Sequence, residues 1–242
     1  MSICKKQFHP PIFIEILLFS LKGFTFLRIC DIYMVIHSFN NYLEVTIMEK
    51  NELHSMLLEL QLNKNIKLQD MPEIDLYMDQ VIQLFENNLG DVVRNKDEKV
   101  LTKTMINNYA KDKLLMPIKN KKYSKEHIIL LSIIYQLKGS LSINDIKKAL
   151  TPAINSFDAD DSENSFSLRD FYDSYLNLTK KNSDEFESEI SKKLEDVNSS
   201  NFSKEKSCSH EEYCKTLLFI LSLVNMSNIY RKAAEKLIDN LK

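Results

Sequence analysis

Between Leu101 and Lys111 the sequence Leu-Thr-Lys-Thr-Met-Ile-Asn-Asn-Tyr-Ala-Lys sorts by residue type when wound at 100° per residue. Lys103, Thr104, Asn107, Asn108 and Lys111 collect on one side, and Leu101, Met105, Ile106, Tyr109 and Ala110 on the other. The polar side has the chemistry of nucleic-acid readout, because asparagine can bond adenine at two points, threonine can bond either partner of a pair, and lysine neutralises phosphate. Directly after it comes Pro117-Ile-Lys119-Asn-Lys121-Lys122-Tyr123, a short basic excursion suited to lie along a phosphate backbone.

Charge supports that reading locally, although not globally. The 242 residues carry 32 Lys and Arg against 34 Asp and Glu, a net charge of -2. Segment 94–125 nevertheless holds ten basic and three acidic residues, a net of +7, while segment 155–198 holds five basic and twelve acidic residues, a net of -7. Two segments of opposite sign imply two roles, and the basic one orients a protein on a polyanion.

Other chemistries fare worse. The three glycines, Gly23, Gly90 and Gly139, lie too far apart for a dinucleotide fingerprint or a phosphate-binding loop. No HExxH or GxSxG occurs, and His127 reads as a half-buried structural histidine, so no enzymatic activity and no cofactor are expected. Cys208, His210 and Cys214 lie within seven residues, but no fourth ligand follows at zinc-finger spacing, so no metal is expected. With Cys4 and Cys30 they form no CxxC, and a reduced, cytoplasmic chain is the plain reading. Residues 1–47 are apolar and aromatic, but Glu15, Lys22, Arg28 and Asp31 interrupt every stretch before it reaches membrane-spanning length. No integral membrane association is expected, and these residues are read as an upstream extension preceding a native start at Met48.

The elements that must position the basic face are helical. Leu53, Met56, Leu57 and Leu60 form one short stripe. Asp70-Met-Pro-Glu73 reads as a helix start, with Ile74, Tyr77, Met78, Val81, Leu84 and Phe85 keeping the helical period to about Asn87. A helix is expected over 102–113, and a core helix over His127–Leu137 is opened by Ser124. A short helix opens at Ser142 and stops before Pro152. Residues 156–165 are acidic and turn-like and are taken as a domain boundary; one long or broken helix follows over 168–197, and a last apolar helix over 211–241.

The runs Leu101–Pro117, Lys121–His127 and Leu141–Lys147 resemble the bacterial domain of unknown function 1836, over most of Met48–Leu150. That family is in turn similar to the winged helix-turn-helix of the MerR class of transcription regulators. The resemblance implies that helix 102–113 reads DNA, that Leu114, Leu115 and Pro117 form the turn after it, and that 117–123 is a basic wing ending in Tyr123. The expected fold is mainly α: a winged helix-turn-helix domain over 48–155 followed by a helical dimerisation or effector region over 156–242. The expected function is a sequence-specific DNA-binding regulator, a repressor acting as a homodimer on double-stranded DNA. Its contacts would be Lys103, Thr104, Asn107, Asn108, Lys111, Lys119, Lys121, Lys122 and Tyr123. The alternative is a helical protein-interaction adaptor with no nucleic-acid role.

Overall fold

The computed structural model describes residues 48–95, 97–158, 167–200 and 208–241. All of them lie in one compact unit, Thr46–Lys242. The expectations for residues 1–47, and for 159–165 of the boundary at 156–165, fall outside the described residues.

Among the described residues the chain is mainly helical. In order come α1 (Lys50–Leu60), a 3-10 turn (Leu68–Asp70), β1 (Leu76–Tyr77), α2 (Met78–Leu89), a second 3-10 turn (Gly90–Val92), α3 (Lys103–Lys111), β2 (Lys122–Tyr123), α4 (Lys125–Leu137), α5 (Ile143–Asp158), α6 (Leu168–Asn198) and α7 (Cys208–Asp239). The two short strands pair antiparallel, Leu76 opposite Tyr123 and Tyr77 opposite Lys122.

α4 is the hub. Ile128, Ile129, Leu130, Leu131 and Ile134 are all fully buried, and a helix apolar on every side must be enclosed on every side. The enclosure comes from Val81, Phe85 and Leu89 of α2, Ile106 and Tyr109 of α3, Ile146, Leu150 and Ile154 of α5, and Leu168 and Tyr172 of α6. This core therefore runs through the expected boundary and takes in the first turns of α6. A second, smaller cluster joins Leu53 and Leu57 of α1 to Ile190, Leu194 and Val197 of α6 and Phe219 of α7. α1, expected in the N-terminal domain, instead packs on the far half of α6.

Two helix boundaries differ from expectation. Asp70–Glu73 does not start α2; the helix begins at Met78, where Gln80 Oε1 accepts from the Tyr77 N–H at 2.8 Å. Leu76 and Tyr77 are claimed by β2 before the helix begins, a tertiary pairing that overrides the local capping signal. α5 does not stop at Pro152 but continues to Asp158. Pro152 is exposed, and the extra turns bury Ile154 in the same stripe as Ile146 and Leu150, which offsets the broken helical bond.

Two polar ties close the first core. The Tyr172 hydroxyl, at 1% residue exposure, donates to the Ile66 carbonyl at 2.8 Å. Burial pushes this phenol up to about 12, so it remains a donor at any physiological pH. On the surface, Arg169 of α6 donates to Glu126 Oε1 from both Nε and Nη2 at 2.9 and 2.7 Å and to Glu73 at 3.2 Å, while Lys125 also bonds Glu73. Tyr172→Phe leaves the Ile66 carbonyl without its partner in a dry site, and should lower unfolding free energy by about 1–3 kcal/mol in urea titration.

Candidate nucleic-acid interface

The polar stripe of α3 is exposed as its periodicity requires. Thr102 caps the helix, its Oγ1 accepting from the Met105 N–H at 3.2 Å. Lys103, Thr104, Asn107, Asn108 and Lys111 face solvent, and Ile106 and Tyr109 are buried. The helix exit is a Schellman turn: the Leu114 N–H donates to the Tyr109 carbonyl at 2.9 Å and the Lys113 N–H to Ala110 at 3.1 Å. Lys113 carries the left-handed conformation at φ 60°, and the fully buried Leu114 closes the turn apolarly.

The basic excursion is a tight hairpin. Lys119 bridges Lys122, with the Lys122 N–H donating to the Lys119 carbonyl at 3.0 Å. Asn120 and Lys121 hold φ 53° and 57°, the pair of left-handed residues that a type I′ turn demands. Asparagine suits the first position, but glycine is the favoured second, and this chain puts an exposed lysine there. β1 adds a third segment beside the hairpin, through the pairing of Leu76–Tyr77 with Lys122–Tyr123.

The start of α2 holds both parts. Asp79 Oδ1 pairs with Lys103 Nζ at 2.8 Å, and two residues earlier the Tyr77 ring lies 5.3 Å from Lys122 Nζ. Tyr77, 55% exposed, is a member of this surface that the periodicity had assigned to a buried stripe. Its signal was its place beside a strand, which depends on pairing with a segment about 45 residues away.

Three expected contributors serve other purposes. Tyr123 is 2% exposed, its ring edge-on to His127 at 5.8 Å, so it anchors the hairpin to the core and offers no face to a ligand. Lys125 is buried against Glu73, and Lys99 lies 3.8 Å from Glu86. Lys96 is outside the described residues. Within segment 94–125 the described cations outside any ion pair are Arg94, Lys111, Lys113, Lys119, Lys121 and Lys122, a smaller set than the sequence sum suggests.

His127 fixes the turn between α3 and the hairpin. The Ser124 N–H donates to Nδ1 at 3.1 Å, which leaves the ring proton on Nε2, directed to the Met116 carbonyl at 3.2 Å. Burial holds its pKa below the ordinary value, against the pull of Met116 and of nearby Glu126 and Asp75. No group of three or more His, Cys, Asp or Glu fit to hold a metal occurs among the described residues searched, and the side chains of Cys208 and His210 are not among those described.

The core that carries this surface begins at Ile66 and ends at Tyr172, with Tyr175 packed against it. Residues 66–175 match the family model of DUF1836, a domain of unknown function. The matched segment thus coincides with one physical core; it starts later and ends later than the Met48–Leu150 expected from motifs, leaving out α1 and taking in the start of α6. No curated protein and no solved structure matches the chain. No helix among the described residues is long and apolar enough to cross a membrane.

A depressed histidine pKa makes stability pH-dependent in a stated direction. The contribution is complete above the unfolded value of about 6.5 and is lost as pH falls from there toward the folded value, because the unfolded chain takes up the proton first. Glu126 is pushed up by burial but pulled further down by its bonds from Arg169, and Glu73 is held low chiefly by Lys125, so a second loss begins only below about pH 4.5. Urea titrations from pH 8 to about 3 should show both phases in the native chain, and only the lower one in His127→Gln.

Proposed function

We propose that this chain is a sequence-specific DNA-binding regulator of transcription, acting as a repressor, whose DUF1836 segment works as a MerR-like winged helix-turn-helix. α3 lies in the major groove with Asn107, Asn108 and Thr104 toward base edges and Lys111 toward phosphate. The hairpin is the wing, with Lys119, Lys121 and Lys122 on the backbone. The observation that carries this reading is the joint exposure of the Thr-Asn-Asn-Lys stripe and a lysine-tipped type I′ hairpin, tied through Tyr77 and Asp79 to one helix start.

The connection between the two helices of the motif departs from the usual three or four residues. Leu89 ends α2 and Lys103 begins α3, with segment 90–102 between them. That segment is pinned, Val100 and Leu101 being buried and Lys138 Nζ donating to the Val100 carbonyl at 3.3 Å. The long connection is thus compatible with a rigid pair of helices.

Lys121 supplies a further argument. A non-glycine residue in the left-handed region costs roughly 1 kcal/mol, and its side chain touches no described ion partner that would offset this. Strain of this kind collects where function needs a side chain.

Fluorescence anisotropy with DNA from the promoter region of the chain's own gene tests the reading. At low salt a fragment should bind, with a log–log salt slope of about -3 to -4 for four phosphates neutralised by Lys111, Lys119, Lys121 and Lys122. Asn107→Ala and Asn108→Ala should each lose about 1–3 kcal/mol of discrimination between sites, whereas Lys122→Ala should weaken all sequences alike. Lys121→Gly should move two readouts in opposite directions: stability up by about 1 kcal/mol, and the salt slope shallower by about 0.9. Absence of binding to any fragment at low salt would falsify this reading. It would favour the adaptor, which the pairing of Lys99, Lys103 and Lys125 with carboxylates of the chain itself supports.

A further inference from the structure

From Tyr213 to Tyr230, α7 has a single charged residue, Lys215, and that one is turned inward. Its Nζ lies 3.2 Å from Glu211 and donates to the Asn198 carbonyl at 2.8 Å. With Lys215, the side chains of Phe219 and Leu223 mark the face of α7 that packs against α6 along this stretch. The other half of the helix is uncharged and mostly apolar, with exposed Asn225 and Asn228 among its large side chains. Tyr213, Leu217, Leu218, Ile220, Leu221, Val224 and Ile229 are 37–62% exposed and, at 100° per residue, occupy the half-turn away from the packed face.

Seven large side chains about half exposed amount to on the order of 600 Å² of apolar surface, the upper end of what a monomer carries as one patch. Two such faces pressed together bury about 1,200 Å², where specific protein interfaces begin, before any polar margin is added. Absence of charge across the face is the composition of an interface between identical chains, which resembles a domain core cut in half. The only partner always present in matching amount is another copy.

The ends of the helix choose the orientation. Glu211 and Glu212 precede the apolar stretch and Arg231 and Lys232 follow it, so both the charged flanks and the apolar residues centre near Leu221. An antiparallel crossing there sets the acidic end of one helix beside the basic end of the other, whereas a parallel pairing sets like beside like.

We propose that α7 is an isologous dimer element: the face Tyr213, Leu217, Leu218, Ile220, Leu221, Val224 and Ile229 docks antiparallel on the same face of a second copy, with the two-fold axis near Leu221. The pairing requires no nucleic acid and stands or falls separately from DNA binding.

Light scattering coupled to size exclusion on the full chain, without DNA, should give about twice 28.3 kDa at micromolar concentration. Leu217→Lys with Leu221→Lys places charge at exposed positions, and should give the monomer mass with unchanged helical circular dichroism. In a chain whose cysteines are replaced by serine, an equimolar mixture of Tyr213→Cys and Ile229→Cys chains should crosslink on oxidation as the mixed species, with little self-crosslinking of Tyr213→Cys. A native chain of monomer mass overturns the proposal, including one that binds lipid vesicles instead. A doubly lysine-substituted chain that keeps the dimer mass overturns it too, as does preferential self-crosslinking at Tyr213.

Discussion

The fold depends on a helix that cannot touch water. Five consecutive or near-consecutive residues of α4 are fully buried, so the chain has to surround it with α2, α3, α5, the hairpin and the first turns of α6. Each surrounding element contributes an apolar stripe to it. The candidate interface is a by-product of that arrangement: α3 spends Ile106 and Tyr109 on the core and turns Asn107, Asn108 and Lys111 outward by periodicity alone.

A polar face serves specific binding of any kind only if its donors are held to fractions of an ångström. Rigidity comes from the turn after α3. Leu114 is buried, His127 bonds Met116 and the start of α4 together, and Tyr123 stacks its edge against the same imidazole. One neutral, desolvated histidine thus ties the exit of α3, the base of the hairpin and the central helix. The ring tautomer is determined by the capping geometry of α4, where Nδ1 accepts from the Ser124 N–H.

Much of this was legible in sequence where one period decided the outcome. The stripe of α3, the cap at Ser124, the burial of 128–134 and the length of α7 all follow from local pattern. The failures share a cause in contacts distant along the chain. Asp70–Glu73 has the composition of a helix start, yet Leu76 and Tyr77 pair with a strand about 45 residues later. Pro152 has the composition of a stop, yet Ile154 is worth burying. Lys125 and Tyr123 count as surface groups in any charge sum or motif match, and only the fold reveals that Glu73 and His127 have taken them. A contact of the same distant kind joins the two sides of the acidic segment, where the Tyr172 hydroxyl donates to the Ile66 carbonyl.

Those distant contacts also explain how charge is partitioned. Arg169 bridges Glu126 and Glu73 and Lys125 completes the set, so part of the basic excess of segment 94–125 is consumed in fastening α6 to the core. Six of the eight acids of α6, Asp184, Glu185, Glu187, Glu189, Glu195 and Asp196, lie in its distal half, the stretch that packs on α1 and α7. Unlike charges near α4 are joined into structure, whereas the hairpin lysines Lys119, Lys121 and Lys122 make no ion pair with a described carboxylate. A polyanion approaching this unit would be drawn toward the hairpin and repelled by the distal half of α6, so the electrostatic field orients the same face that the apolar packing exposes.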